Sequence, residues 1–457
     1  MSQRSPGIRL LLVGLVAFVL GIPLLMVYAL VNDREAQSHT AQAAITAGWG
    51  GAQVVSGPVL VVPYTELVTE TATVDGTRTV ERRRELYLSP LVHRADIKLN
   101  PERRGYSIYD SVVYQAALAG NARFELPADL DRLGVERGRL VLDQAELRFG
   151  VSDPRGLQTD ASVTVGGRPV ELQPGKGLVA SGDAGFHGVI TWDGQPLTVQ
   201  YEYGLRGSRS IALVPRGGDT QWQVSSPWPH PSFGGNFLPD SKEVSERGFT
   251  ARYGIPNLAL ALALAQALAS SSDTAMAVAP DPVPGQHAAD SAATALTASI
   301  ALIEPVDLYS QVDRSVKYGF LFIGFTFLTF LMFDVVGGAR VATAEYLLTG
   351  AGLVLFFVLL LAFAEVIGFG WAYVAASVAI IGLLTAYSAA VLRSRRRAGF
   401  VGALLVGLYG LIYLLLSLEA LSLVIGSVLL FLALAGVMYA TRNVDWSQVG
   451  RDDETTA

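Results

Sequence analysis

No cysteine occurs anywhere in the 457 residues, which removes disulfides, thiolate metal sites and cysteine nucleophiles together. A chain of this kind also suits an oxidising compartment, where a free thiol is a liability. Charge is scarce. Only 16% of residues are Asp, Glu, Lys or Arg, and the net charge of −6 leaves no polybasic footprint for nucleic acid. The five histidines, His39, His93, His187, His230 and His287, form no HExxH or HxH pair. Asp96 follows His93 and Asp183 precedes His187 at three or four residues, but these segments read as strand or loop, where such spacing does not put two side chains on one helical face. A GxSxG elbow, a P-loop and a GxGxxG after a strand are also missing. The expectation is therefore no catalytic residues, no metal and no cofactor. A hydrolase assembled in space from Asp153, His187 or His230 is the minor alternative.

What the chain has instead is apolar length. The run Leu10–Val31 carries no charge and reaches about 33 Å as a helix at 1.5 Å per residue, enough to cross a bilayer core. A cleaved signal peptide is the rival reading. Its apolar region is usually about 7–15 residues and ends in a small-x-small site, whereas this run is longer and ends in Leu30-Val31-Asn32-Asp33, which favours an uncleaved anchor. Five further runs follow, at Tyr318–Val336, Tyr346–Ile367, Trp371–Leu392, Phe400–Ser417 and Leu421–Ala440. Each has the length that a bilayer core demands.

Short loops orient these six spans, because Lys and Arg stay in the cytoplasm. Arg4 and Arg9 precede the first span, and threading through all six places Arg340, the cluster Arg393/Arg395/Arg396/Arg397, Arg442 and Arg451 on the same side. The two outer turns, near Gly368-Phe369-Gly370 and near Glu419, hold no Lys or Arg. Both termini then lie inside, and the stretch between the first two spans is exported. The expected divisions are an anchor over 1–31, a periplasmic domain over 32–316, a five-helix bundle over 317–441 and a cytoplasmic tail over 442–457. The class is thus a membrane protein of α plus β type, in the bacterial inner membrane, with six transmembrane helices and a large, mostly antiparallel, sandwich-like β domain.

Within the exported stretch, Asn32–Ala47 lacks Pro and Gly and extends the first helix. From Val54 the grammar is β. Asp75-Gly76, Gly166-Gly167, Asp193-Gly194 and Gly217-Gly218 are dipeptides that supply positive φ at hairpin loops. Further strands are expected at Val59–Val62, Glu85–Leu88, Ala145–Val151, Phe249–Tyr253 and Ala298–Glu304, arranged as one sandwich or two. Leu258–Ser270 alternates Leu and Ala but has helix-forming composition, and is read as a short helix. The stretch 271–294, with Pro280, Pro282, Pro284 and Gly285, reads as a flexible insertion.

Three groups of residues stand out as candidate sites. Trp228-Pro229-His230-Pro231-Ser232-Phe233-Gly234-Gly235-Asn236-Phe237-Leu238-Pro239 disfavours regular structure, and its three large aromatics need burial or a partner. It is either a binding loop built on Trp228, His230, Phe233 and Phe237, or a plug at one end of the sheet. Asp153 and Arg155 in Asp-Pro-Arg-Gly form a polar turn that either sets chain direction or presents a carboxylate beside a guanidinium. Asp334, Glu345 and Glu365 fall near span ends, where they reach the interface. A midplane carboxylate would be the default sign of an ion pathway, so their positions lower a coupled-transporter reading. Gly350, Gly352, Gly382, Gly407 and Gly410 fit close helix packing.

The strings WPHPSFGGNFLPDSKEVSERGFTARY, PVDLYSQVDRSVKYGFLFIGFTFLTF, EYLLTGAGLVLFFVLLLAFAEVIGF and ATRNVDWS, with VSGPVLVVPYTEL, ERRREL and SDPRGL, resemble the CreD family of inner-membrane proteins. The resemblance covers nearly the whole chain in order, apart from the Ala/Pro-rich stretch near 258–294. It implies a role in cell-envelope integrity, often under a two-component regulatory system that responds to envelope or metabolic stress. It transfers no enzymatic activity and no catalytic residue. Three functions remain in order of preference. The first is a non-enzymatic envelope protein whose periplasmic domain binds an envelope component or a membrane-protein partner. The second is a transporter or lipid-handling protein that uses the bundle, and the third is the tethered hydrolase. The bilayer itself is a partner in all three.

Overall fold

The computed structural model describes residues 6–71, 77–106, 109–128, 130, 134–216, 218–256, 259, 269–270, 273, 296–302, 308–335 and 341–417, with a few isolated positions after 426. The chain divides into two compact units, Met1–Thr40 with Val306–Ala457, and Ala41–Pro305.

The first unit is helical. It holds most of α1 (Pro6–Trp49), then α2 (Leu308–Lys317), α3 (Gly319–Val335), α4 (Thr343–Ile367), α5 (Phe369–Val391) and α6 (Arg395–Ser417). Among the described residues four helices are long and apolar enough to cross a membrane: Leu11–Trp49, Thr343–Ile367, Phe369–Val391 and Arg395–Leu416. The expected six are not all present in that sense. Within the described residues α3 has 17 residues, about 26 Å of helix, and the residues that follow it, 336–340, lie outside them. The expected spans and tail at 421–440 and 442–457 lie outside the described residues, apart from the isolated positions. α1 runs through Pro23 and on to Trp49, so the polar Asn32–Ala47 stretch is helix, as expected.

Small residues set the close approaches in this unit. A Cβ on Gly350 would overlap Leu20, and one on Gly319 would come within 2.8 Å of Leu24. Val16, Leu20, Val27 and Val31 form the buried stripe of α1, while Leu11, Phe18, Leu25 and Met26 stay exposed. Aromatic rings fill the interior: Tyr409 lies 4.4 Å from Phe322 and 4.7 Å from Phe356, and the Tyr373 hydroxyl donates to the Tyr409 carbonyl at 2.8 Å.

The second unit is a single β sandwich. In chain order its strands are β1 (Gln53–Thr71), β2 (Thr77–Leu88), β3 (Val92–Tyr106), β4 (Tyr109–Phe124), β5 (Ala145–Val151), β6 (Ser162–Val165), β7 (Arg168–Pro169), β8 (Leu172–Pro174) and β9 (Gly185–Ile190). They continue with β10 (Leu197–Ser208), β11 (Ser210–Val214), β12 (Asp219–Ser226), β13 (Pro231–Gly235), β14 (Ser241–Ser245), β15 (Gly248–Pro256), β16 (Ala269–Ser270) and β17 (Ala298–Leu302). One sheet has nine strands, in the order β13-β17-β11-β1-β5-β9-β8 with β2 and then β16 beside β1. The other has eight, in the order β14-β15-β12-β3-β4-β10-β6-β7. One apolar core joins the inner faces: Phe149 of the first sheet meets Tyr201 of the second at 5.5 Å, and Phe186 meets Tyr203 at 5.3 Å.

Several expectations need correction. Both sheets are mixed, since β1 pairs with β11 and β12 with β3 in parallel. Asp193-Gly194 and Gly217-Gly218 do not make hairpins. The first lies between β9 and β10 and the second between β11 and β12, and each pair of strands belongs to different sheets. The same turn chemistry serves a corner of the sandwich: Gly194 has φ of +82° and the Asp193 side chain accepts the Gln195 N–H. Gly166-Gly167 does close a hairpin, β6 to β7, with both φ positive. The Asp75-Gly76 turn lies outside the described residues, although Thr71 and Thr77 pair across it. Of the expected helix at 258–270 only the end is described apart from residue 259, and there Ala269–Ser270 is a strand paired with Leu88 and Tyr87. The insertion 271–294 also lies outside, except for Asp273, which is buried.

Candidate functional site

Strand alternation decides which side chains meet at the outer face of the eight-strand sheet. Along β3, Ala95, Ile97 and Leu99 enter the core, so Arg94, Asp96 and Lys98 face out. In β12, Trp222 and Val224 point in and Gln221 and Gln223 point out, and β10 repeats the pattern with Val199 and Tyr201 against Gln200 and Glu202. The ladder then aligns these positions across strands. Gln221 pairs with Arg94, Arg94 with Asn121, and Asn121 with Gln200, giving a row of four polar side chains perpendicular to the strands. A second row runs Arg252, Gln223, Asp96, Ala119.

Together they line a trough of about 780 Å³. Its middle is low because Ala119 stands between longer neighbours. One wall is the chain around Asp240, held by two bonds: the Asp240 Oδ2 accepts the Gly254 N–H at 2.7 Å, and the Asp240 N–H donates to the Arg252 carbonyl at 2.9 Å. The Arg252 Nε donates to the Gln223 Oε1 at 3.2 Å. Among the described residues Arg94, Asp96, Asn121 and Gln200 have no side-chain hydrogen bond or ion pair, so their polar ends are available to a ligand. The lining carries two guanidiniums, Arg94 and Arg252, and two carboxylates, Asp96 and Asp240, and is balanced in charge.

Directly beneath the trough sits a buried polar contact. Gly120 pairs with Tyr201, and a Cβ there would collide with the phenol, so glycine makes room for it. The Tyr201 hydroxyl lies 2.7 Å from the His93 Nε2. Burial pushes the His93 imidazole down to about 4 and raises the Tyr201 phenol well above its ordinary value. A neutral imidazole facing a phenol inside a core is a structural pair, consistent with the dry surroundings.

The sequence-derived candidates fall elsewhere. Trp228, Phe233 and Phe237 are half-buried and packed against the sandwich core, while His230 is exposed. Against expectation, part of their segment is regular. Pro231–Gly235 forms edge strand β13, paired with β17, because a proline at the first residue of an edge strand removes no needed donor. The Trp228 Nε1 donates to the His230 carbonyl at 3.2 Å, and the Phe233 ring meets Phe249 edge-on at 5.6 Å. The large apolar side chain that the segment exposes is Leu238, at 63%.

Asp153 and Arg155 anchor the C-terminal end of α1. The Asp153 carboxylate takes two hydrogen bonds from the Arg155 guanidinium, at 2.8 Å each, and accepts the Gly51 N–H at 3.1 Å. The Arg155 hydrogen bond and backbone donors hold its carboxyl below the usual range. Arg155 also donates to the Ala47 carbonyl in the last turn of the helix, where a cation suits the helix dipole. Beside it the Trp49 indole lies under two guanidiniums, Arg104 at 3.6 Å and Arg206 at 4.6 Å from the ring centroid.

Of the span-end carboxylates, Glu365 accepts from the Tyr309 hydroxyl at 3.2 Å and stands 4.0 Å from Arg34. Glu345 lies in the first turn of α4 and accepts the Ala342 N–H at 2.7 Å. Asp334 lies in the last turn of α3, and its side chain is outside the described residues. The three groups of candidates do not converge on one site.

A family model described as "Inner membrane protein CreD" matches residues 5–447. The Inner membrane protein CreD of Escherichia coli (strain K12) is 32% identical over 437 residues, covering 93% of this chain and 90% of that protein. The chain belongs to the CreD family. As a CreD-family member with several apolar helices, it is a multi-pass inner-membrane protein. The trough residues escaped the sequence reading because RADIKLN, TVQYEY and TQWQVS look like any half-buried strand. The available signal was the pair of amides, Gln221 and Gln223, at alternate positions of β12, with the single amide Gln200 in β10.

Proposed function

We propose that this CreD-family member is a non-enzymatic protein that supports cell-envelope integrity, with its β unit exported as a binding domain. In this reading the chain crosses the membrane six times with both termini inside. Four apolar helices and the Arg-rich connection from α5 to α6 (Arg393, Arg395, Arg396 and Arg397) support that topology under the positive-inside rule. The observation that carries the binding role is the trough, an open depression in which Arg94, Asp96, Asn121 and Gln200 have no side-chain partner among the described residues, while Gln221, Gln223, Arg252 and Asp240 are held by neighbours. The aromatic packing of the helical unit favours an anchor over a conduit.

Photocrosslinking in living cells from Gln223 and Asn121, with Leu238 as a second probe, tests the binding role. Capture of a discrete envelope component is expected, and purely intramolecular crosslinks would remove the proposal. The natural lack of cysteine makes topology simple to probe. A membrane-impermeant maleimide should label Glu102→Cys in intact spheroplasts, and Ser394→Cys only after lysis. The opposite pattern would invert the assigned orientation.

A further inference from the structure

We infer that the trough on the eight-strand sheet binds an extended, uncharged glycan. The inference rests on the exported-domain reading and names the ligand class of that site. Charge is the first argument: two guanidiniums and two carboxylates cancel, so neither a polyanion nor a polycation is selected. Apolarity is the second. Every large apolar and aromatic side chain of β3, β4, β10 and β12 in this region turns into the core, so an acyl chain or a membrane surface finds nothing to bury on the outer face.

Geometry is the third argument. The row Gln221, Arg94, Asn121, Gln200 places one planar, multidentate side chain on each of four adjacent strands. Strands repeat at about 4.8 Å, close to the rise of one pyranose in an extended β-linked chain. Amide and guanidinium planes offer donors and acceptors in fixed directions and so suit neighbouring hydroxyl pairs on a sugar ring. Ala119 in the next row leaves depth for the ring, and the pinned wall at Asp240 keeps the trough open without a ligand. An extended peptide would instead seek an unpaired strand edge, because its main-chain groups need a ladder. The face of a fully paired sheet offers none. Lacking an aromatic platform, each sugar is held weakly, and retention comes from a polymer spanning several strands.

The test uses the full chain in detergent, with chitohexaose, maltohexaose and intact peptidoglycan sacculi as probes. Sacculi and chitohexaose should retain the protein, and coiled maltohexaose should not. The double variant Arg94→Ala/Gln221→Ala should weaken retention at least tenfold, and Ala119→Arg, which fills the floor while removing no polar group, should do the same. Arg83→Ala on the other sheet should leave it unchanged. Circular dichroism of each variant confirms folding. Failure of both glycans to bind, or binding indifferent to all trough variants, would overturn the inference. Equal retention by maltohexaose would overturn the extended geometry. If the in-cell crosslinks capture a protein while the glycans fail, the binding domain stands and the glycan falls. If nothing is captured and nothing binds, both fall.

Discussion

The two outer faces of the sandwich have similar sequences and opposite fates. On the nine-strand sheet, AELRFGV in β5 alternates as RADIKLN does in β3, yet Arg148 is 8% exposed and Arg94 is open to solvent. The segment from Gly175 to Ala184 makes the difference by folding over the first face. A Cβ on Gly150 of β5 would overlap the Ser181 hydroxyl above it, and one on Gly177 would overlap the Ala184 backbone where the segment turns back, so glycine permits both the approach and the turn. Leu178 is buried with Val59 and Val61 under this cover.

Polar groups trapped there are paired. Arg148 bridges Glu85 at 2.6 Å and Glu146 at 2.8 Å, and Lys176 closes on Glu146 at 2.6 Å. Burial works to raise both carboxyls, but hydrogen bonds from Arg148, with Tyr87 on Glu85 and Lys176 on Glu146, outweigh it and hold both below the usual range. Burial, with the Glu85 hydrogen bond, pushes the Tyr87 phenol up to about 12. Nearby, Arg216 meets Asp273 at 2.7 Å with both side chains almost fully buried, and Asp273 also accepts the Val179 N–H. A covered sheet face consumes its polar groups in the fold, and the open one leaves Arg94, Asp96, Asn121 and Gln200 free to bind.

The largest test of this contrast is Asp273→Ala. It strands the Arg216 guanidinium in a buried site and should cost about 3–5 kcal/mol in unfolding free energy, read from urea denaturation of the full chain. A cost under about 1 kcal/mol, the range of exposed pairs, would mean that this face is wetter than described.

Next is the layer between the faces. Folded His93 titrates near 4 against an ordinary 6.5. Between those values the unfolded chain takes up a proton that the folded chain refuses, so stability is complete above the upper value and falls as pH drops toward the lower. The difference corresponds to about 3 kcal/mol. His93→Gln should flatten that part of the pH–stability curve, and an unchanged slope would assign it to other groups.

Gly177→Ala should loosen the cover at about 1–3 kcal/mol, the range of overpacking. Faster amide exchange in β9 than in β4 would locate the damage on the covered face, and uniform exchange would contradict it. The smallest effect belongs to the open face. Asp96→Ala should shift stability by no more than about 0.5 kcal/mol, and a larger loss would show that the trough is structural.

Alternation in β3, β5, β10 and β12 shows in the sequence which residues turn into the core, and the helical continuation of α1 through Ala47 was equally readable. The strand character of Pro231–Gly235 was not, because its pairing with β17 joins segments more than sixty residues apart. Asp153 and Arg155 were legible as a pair, but their attachment to Gly51 and Ala47 depends on a contact about a hundred residues away. The trough was hidden for the same reason: Gln221, Arg94, Asn121 and Gln200 lie on four strands, and only the ladder sets them in a row.

The sequence alone therefore determined the local and compositional properties: apolar runs long enough for a bilayer, the absence of thiol chemistry, the β grammar of the central stretch, and the family. These follow from period, length and composition, which neighbouring residues carry. Tertiary structure alone decided that the β stretch is one sandwich with mixed sheets, which turns are hairpins and which are corners, and which outer face is covered. Those depend on pairings between distant segments and on whether a loop folds back over a sheet, and the alternation of a single strand reads the same in either case.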